Sequence, residues 1–218
     1  MIPSAPRLHV VTDDEVLARE GWLRAAMTVL EAGGPAVAVH VRGPRTCGAQ
    51  MHRLASALVS EARQTGAWLV VNDRVDVALA TRAAAVHLGR RSLPLDSARG
   101  LLGTHVHIGV SCHSGEEVAA ARSGGADYAF MGTIFPTPTH ADEPGIGIEG
   151  LKRVVERVEG LPVIGIGGMD AAKVGMVRAA GAHGVAAVRG VWDAEEPAMA
   201  ATAYLTALNT FDETRSQM

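Results

Sequence analysis

His105-Val-His-Ile-Gly-Val-Ser111, then Gly115-Glu-Glu-Val-Ala-Ala-Ala-Arg-Ser123, then Gly124-Gly-Ala-Asp-Tyr-Ala-Phe-Met-Gly132 read as strand, alanine-rich amphipathic helix, glycine turn and strand. The turn Gly124-Gly-Ala-Asp127 has a counterpart in Ala180-Gly-Ala-His183 before Gly184, where a glycine again ends a helix and an apolar run follows. One βα unit is therefore echoed inside the chain, without the fixed period of a solenoid. Outward from it, short apolar runs recur at Leu8–Thr12, Ala36–Val41, Ala67–Val71, Ala84–Leu88, Pro162–Gly167 and Val185–Val188. Helical stretches fall between them at Gln50–Gln64, Ile148–Val158, Ala171–Ala180 and Glu195–Ala207, with two short ones over Asp73–Ala80 and Asp96–Leu102. Eight strands alternating with helices predict an α/β fold of the (β/α)8 TIM-barrel kind, because an open doubly wound sheet of this length uses fewer strands.

The 218 residues suit one such barrel, so a single domain over residues 1–218 is expected. Hydrophobic residues at 48% and charged residues at 20% fit a globular chain rather than a disordered one or a coiled coil. A net charge of −3 gives nucleic acid no general attraction. Two cysteines, Cys47 and Cys112, provide neither a disulfide framework nor a four-ligand zinc pattern. No segment has the uninterrupted apolar length of a membrane span, and Met1–His9 does not read as a signal sequence. A cytoplasmic protein without membrane or nucleic-acid partners is the expectation. Apolar helix faces leave a homo-oligomer open.

In a barrel, chemistry gathers where the strand-to-helix loops converge at the carboxyl ends of the strands. Gly167 and Gly168 in Ile164-Gly-Ile-Gly-Gly-Met169, with Val188 and Arg189 after the last strand, are positioned to offer backbone N–H groups to a phosphate. The long proline-rich loop after Phe130 reads as a semi-rigid lid carrying Thr137 and Thr139. His113 follows the fifth strand close to Ser111, and an imidazole exchanges protons near neutral pH. By strand alternation Cys112 points away from that pair and packs. His40 and Arg42 share a strand face, as ligand contacts or, for His40, an acid–base group or a core residue. Asn72 ends the third strand and joins the candidate ligand-binding set.

Val71-Asn-Asp-Arg-Val-Asp-Val-Ala78, Val86-His-Leu-Gly89, Ile108-Gly-Val-Ser-Cys-His-Ser114, Gly125-Ala-Asp-Tyr128, Gly132-Thr-Ile-Phe-Pro-Thr-Pro-Thr139 and Ile164-Gly-Ile-Gly-Gly168 together resemble the superfamily of thiamine phosphate synthases and TenI-type thiazole tautomerases. The resemblance implies a (β/α)8 barrel acting on thiazole phosphate in thiamine biosynthesis. Synthases of that superfamily join a pyrimidine pyrophosphate to thiazole phosphate with magnesium. Tautomerases move a proton to aromatise the thiazole phosphate carboxylate.

The chain departs from the synthase pattern in three places. Gln-x-Arg-x-Lys is His40-Val-Arg42-Gly-Pro44, Gly-Gln-Glu-Asp is Gly89-Arg-Arg-Ser92, and a lysine after Thr-x-Thr is His140. The second change removes the carboxylate that would share magnesium with Asp73. Val86-His-Leu-Gly-x-Arg-Ser92 is similar to the tautomerase branch, whose proposed proton shuttle aligns with His113. The leading expectation is a TenI-type tautomerase needing no metal or other cofactor, with His113 as the proton relay. The alternatives are a divergent magnesium-using thiamine phosphate synthase and a non-catalytic binder of thiazole phosphate.

Overall fold

The computed structural model describes residues 5–137 and 145–216. Eight parallel strands close on themselves in chain order: β1 (Leu8–Val11), β2 (Val37–Val41), β3 (Trp68–Asn72), β4 (Ala85–Leu88), β5 (His107–Cys112), β6 (Tyr128–Met131), β7 (Val163–Ile166) and β8 (Gly184–Ala187). The ring is sealed where Leu8, His9 and Val10 of β1 pair with Val185, Ala186 and Ala187 of β8. A (β/α)8 barrel is the result, as the alternation of runs predicts. Among the described residues no helix is long and apolar enough to cross a membrane.

The strand period of two sorts side chains into two cores. On β2, Val37, Val39 and Val41 face outward into the layer shared with the helices, whereas Ala38 packs inside with Val70, Tyr128, Phe130 and Ile164. The outer layer consists of α1 (Asp14–Leu17), α2 (Trp22–Gly33), α3 (Gly48–Thr65), α4 (Val75–Thr81), α5 (Leu95–Leu102), α6 (Gly115–Ser123), α7 (Gly147–Arg157), α8 (Val174–Ala179), α9 (Arg189–Trp192) and α10 (Pro197–Ser216). The repeated turn is confirmed in detail. Ala126 N–H donates to Ala121 O at 3.0 Å and Ala182 N–H to Val177 O at 3.4 Å, around Gly125 and Gly181 at φ 82° and 91°.

Besides the one-turn helices α1 and α9, which the sequence reading does not give, two longer helices differ from expectation. The sequence reading has no helix over Trp22–Gly33, yet α2 buries Trp22, Ala26, Val29 and Leu30 along one face. Its N-cap is Gly21 with no side-chain cap, so the usual start signal is missing. α10 runs well past Ala207, and its far end is fastened by Asp212, which pairs with both Arg7 and Arg178.

The barrel interior has little spare volume at β5. A Cβ added at Gly109 would fall on the ring of buried Tyr128, 2.6 Å from Cε1. Gly109→Ala is therefore expected to cost about 1–3 kcal/mol through overpacking, read as a lower urea midpoint at unchanged slope. A midpoint equal to that of the parent chain would show that the interior can yield.

Candidate active site

The loops after β7 and β8 meet. Gly167 and Gly168 adopt φ of 103° and 60°, and a Cβ at Gly190 would lie 2.9 Å from Met169 O. Tyr204 of α10 donates its hydroxyl hydrogen to the same Met169 O at 2.8 Å, holding the β7 loop from behind. Lys173 Nζ donates to Gly168 O at 2.7 Å and pairs with Asp170, so its charge is used within the loop. Val188 O accepts from Val191 and Trp192 as α9 begins, and among the described residues no loop hydrogen bond uses the N–H of Gly168 or Arg189. The Arg189 guanidinium turns out toward Glu15 at 3.7 Å, so what Arg189 brings to the mouth is its backbone. The structure thus brings together the two glycines, Val188 and Arg189 as expected, in a form suited to an oxyanion.

The loop after β6 lies against this pair. Phe135 N–H donates to Gly167 O at 3.2 Å, and Cβ atoms at Gly167 and Gly168 would meet Thr133 and Pro136. Thr137 follows immediately and is partly exposed. Thr139 and His140 lie outside the described residues, as does the middle of the expected lid.

Across the mouth the interior is polar. His9 Nε2–H donates to Pro6 O at 3.0 Å, His9 Nδ1 and His40 Nε2 are 2.9 Å apart, and His40 Nδ1 is 2.9 Å from Oδ1 of Asn72. His87 places Nε2 2.9 Å from Ser111 Oγ and Nδ1 3.3 Å from the Tyr128 hydroxyl. Burial, then the charge of Arg42, lowers the His40 imidazole to about 3 against the help of Asn72, and burial leads in holding His9 and His87 well below the ordinary range. Arg42, just past the end of β2, is partly buried, and its backbone N–H and carbonyl both bond to the Thr12 hydroxyl.

His40 requires a correction. It is fully buried with both ring nitrogens engaged, so it reaches a ligand only through Asn72. The period of two gives its face correctly but not its depth. His9 and His87 were missed by the sequence reading; the signal available was a histidine at an inward position on β1 and on β4, weak in a chain with nine histidines. Cys112 packs in the outer core with its thiol pushed up to about 12 by burial, in keeping with a packing role.

His113 stands apart from these groups. Its Nδ1–H donates to Gly132 O at 3.0 Å, its backbone N–H donates to Glu117 at 2.6 Å, and it lines a groove of about 350 Å3 with Ile146, Arg153 and Arg157. Among the described residues no hydrogen bond or ring contact joins His113 to Ser111, Arg42 or the glycine pair. The Gly132 carbonyl fixes the tautomer that leaves Nε2 as a free base.

Magnesium, which the synthase resemblance implies, meets an unsuitable donor set. Asp73 Oδ1 accepts from the Ser92 hydroxyl and from Gly89 N–H, and the same N–H lies 2.8 Å from Ser92 Oγ. The hydroxyl occupies the place a second carboxylate would need, and Arg90 and Arg91 flank it. Ser92→Asp would set two carboxylates against each other, so magnesium is expected to raise the melting temperature of the variant and leave the parent chain unmoved. An equal response of both would restore a metal site in the parent.

A closed barrel with glycine-bearing loops after its last two strands is the architecture in which (β/α)8 enzymes commonly hold a phosphate. The family model described as thiamine monophosphate synthase matches residues 8–191. A thiamine-phosphate synthase of Chlorobium luteolum is 37% identical over 95% of both chains. The bifunctional thiamine biosynthesis protein ThiM/ThiE of Symbiobacterium thermophilum is 47% identical over 69% of this chain and 32% of its own length. The solved thiamine phosphate pyrophosphorylase of Pyrococcus furiosus superposes with a TM-score of 0.83 at 31% identity, covering 97% of this chain and 99% of that one. The chain belongs to the thiamine monophosphate synthase family, and it is an enzyme of thiamine biosynthesis.

Proposed function

We propose that the enzyme is a thiamine-phosphate synthase, joining an activated pyrimidine to thiazole phosphate in the mouth of the barrel. The relatives named above favour this over the tautomerase expected from the sequence. The observation that supports the ligand assignment is the close approach of the β7 and β8 loops at Met169 and Gly190, with the N–H groups of Gly168 and Arg189 not used by any loop hydrogen bond among the described residues. The thiazole phosphate would rest there. Its ring nitrogen would then attack the pyrimidine methylene carbon as the bond to pyrophosphate breaks, both electrons leaving with the pyrophosphate. Arg42 after β2 and Arg90 and Arg91 after β4 would offer cations to that departing charge, in place of a metal held by two carboxylates.

One observation favours a second reading, the proton shift. Asp73 accepts from the Ser92 hydroxyl on a loop that offers no second carboxylate, and a tautomerase needs no such carboxylate pair. A single set of incubations separates the two. Thiazole phosphate with pyrimidine pyrophosphate yields thiamine phosphate and pyrophosphate under the first reading. The thiazole tautomer alone is aromatised, with or without magnesium, under the second. Ligand binding with neither product would remove both.

A further inference from the structure

Three polar side chains inside the barrel form a line that the reaction above does not use: His9 on β1, His40 on β2 and Asn72 on β3. The order of hydrogens along it is dictated from its far end. Pro6 presents only a carbonyl, so His9 Nε2 carries the hydrogen between them. In a neutral imidazole the other nitrogen is then a bare lone pair, and His9 Nδ1 accepts from His40 Nε2–H. His40 Nδ1 is in turn left as an acceptor, and the Asn72 Oδ1 position lies 2.9 Å from it. An oxygen there would face a lone pair with no hydrogen between them.

A cationic His40 would supply that hydrogen, but burial opposes the charge and Arg42 opposes it further. Rotating the amide by half a turn supplies it without moving another atom, since amide nitrogen and oxygen are nearly identical in size. We infer that His9, acting through His40, holds the Asn72 amide with Nδ2–H on His40 Nδ1 and Oδ1 toward the barrel mouth. The second terminal atom of that amide bonds to nothing among the described residues, and it is not one of the buried side-chain atoms left unpartnered there, which are Trp22 Nε1 and Arg178 Nε. Asn72 is the last residue of β3, at the carboxyl end where the barrel opens, so this atom is the one available to a ligand there. The mouth then presents an acceptor at this point, which favours an N–H or O–H of the ligand and rejects a carbonyl or a bare ring nitrogen. His9 is a positioning residue, and its effect on the ligand rests on the reading of the mouth as the active site.

Nitrogen-15 NMR of the full chain tests the proton order with no ligand present. The expected spectrum has His9 and His40 both protonated at Nε2, with a coupling across the hydrogen bond between His40 Nδ1 and Asn72 Nδ2. A His40 protonated at Nδ1, or an Asn72 amide nitrogen without that coupling, overturns the inference. His9→Gln keeps a donor for Pro6 and an acceptor for His40 and should preserve the pattern. His9→Phe fills the space without an acceptor and should move the His40 hydrogen to Nδ1; a pattern unchanged in His9→Phe would make His9 a packing residue only. With thiazole phosphate as substrate, kcat/KM should fall about tenfold in His9→Phe and recover in His9→Gln. The expected pattern in the parent and its expected shift in His9→Phe, with no loss of kcat/KM in that variant, would leave the hydrogen-bond line standing and remove the mouth as the place of reaction.

Discussion

Gly168→Ala is expected to weaken binding of a phosphorylated ligand about 10- to 100-fold while leaving the dephosphorylated alcohol nearly unaffected. Gly168 sits at φ 60°, a region that costs an L-residue roughly 1–2 kcal/mol. Space is the larger obstacle, because the new Cβ would lie 2.7 Å from Pro136 O and 2.8 Å from Phe135 Cβ. Those atoms belong to a neighbouring loop that is itself bonded to Gly167, so relief comes from shifting the glycine backbone. The Gly168 N–H then leaves the place where it faces the anion, and a hydrogen bond to a charged group is worth about 1.5–3 kcal/mol. Calorimetric titration of the variant with thiazole phosphate and with the free alcohol reads the difference directly. A urea curve on the same sample separates lost stability from lost binding. Equal losses for the two ligands would mean that the phosphate sits elsewhere.

The sequence makes the barrel legible because eight apolar runs and their glycine turns are local signals, and each strand is found within two residues of its expected place. What escapes it depends on depth and on pairing across elements. α2 has an amphipathic face but begins at an uncapped glycine, so boundary signals pass over it. The cradle is legible as two glycine-bearing loops, whereas their contact at Met169 and Gly190 exists only after the ring closes. Alternation separates Ser111 from Cys112 correctly, yet the same rule cannot say that His40 is fully buried between His9 and Asn72. The His9–His40 pair joins residues from adjacent strands whose register no local pattern encodes. At the β4 loop the missing carboxylate is visible in Gly89-Arg-Arg-Ser92, but the serine's bond to Asp73, which turns an absence into a structure, is not.

His113→Asn should then divide the two reactions by the size of its effect. The imidazole is anchored through Nδ1–H on Gly132 O, and the backbone of the same residue through its N–H on Glu117, which leaves Nε2 as the acceptor nitrogen of the neutral ring. Asparagine can repeat the donation to Gly132 with its amide and offers no base, so the variant removes proton transfer with little disturbance of the fold. If the rate rests on a proton shift, turnover of the thiazole tautomer should fall by about 10²–10⁴-fold with phosphate affinity intact. If it rests on bond formation with loss of pyrophosphate, the charge that develops is borne on phosphate oxygens far from an imidazole, and thiamine phosphate should form within about tenfold of the parent rate. The two rates measured on one preparation of His113→Asn answer the question that homology leaves between the two branches. An unchanged rate for both substrates would take His113 out of the chemistry altogether and leave Ser111, tied to the buried His87, as the nearest group at the mouth able to relay a proton.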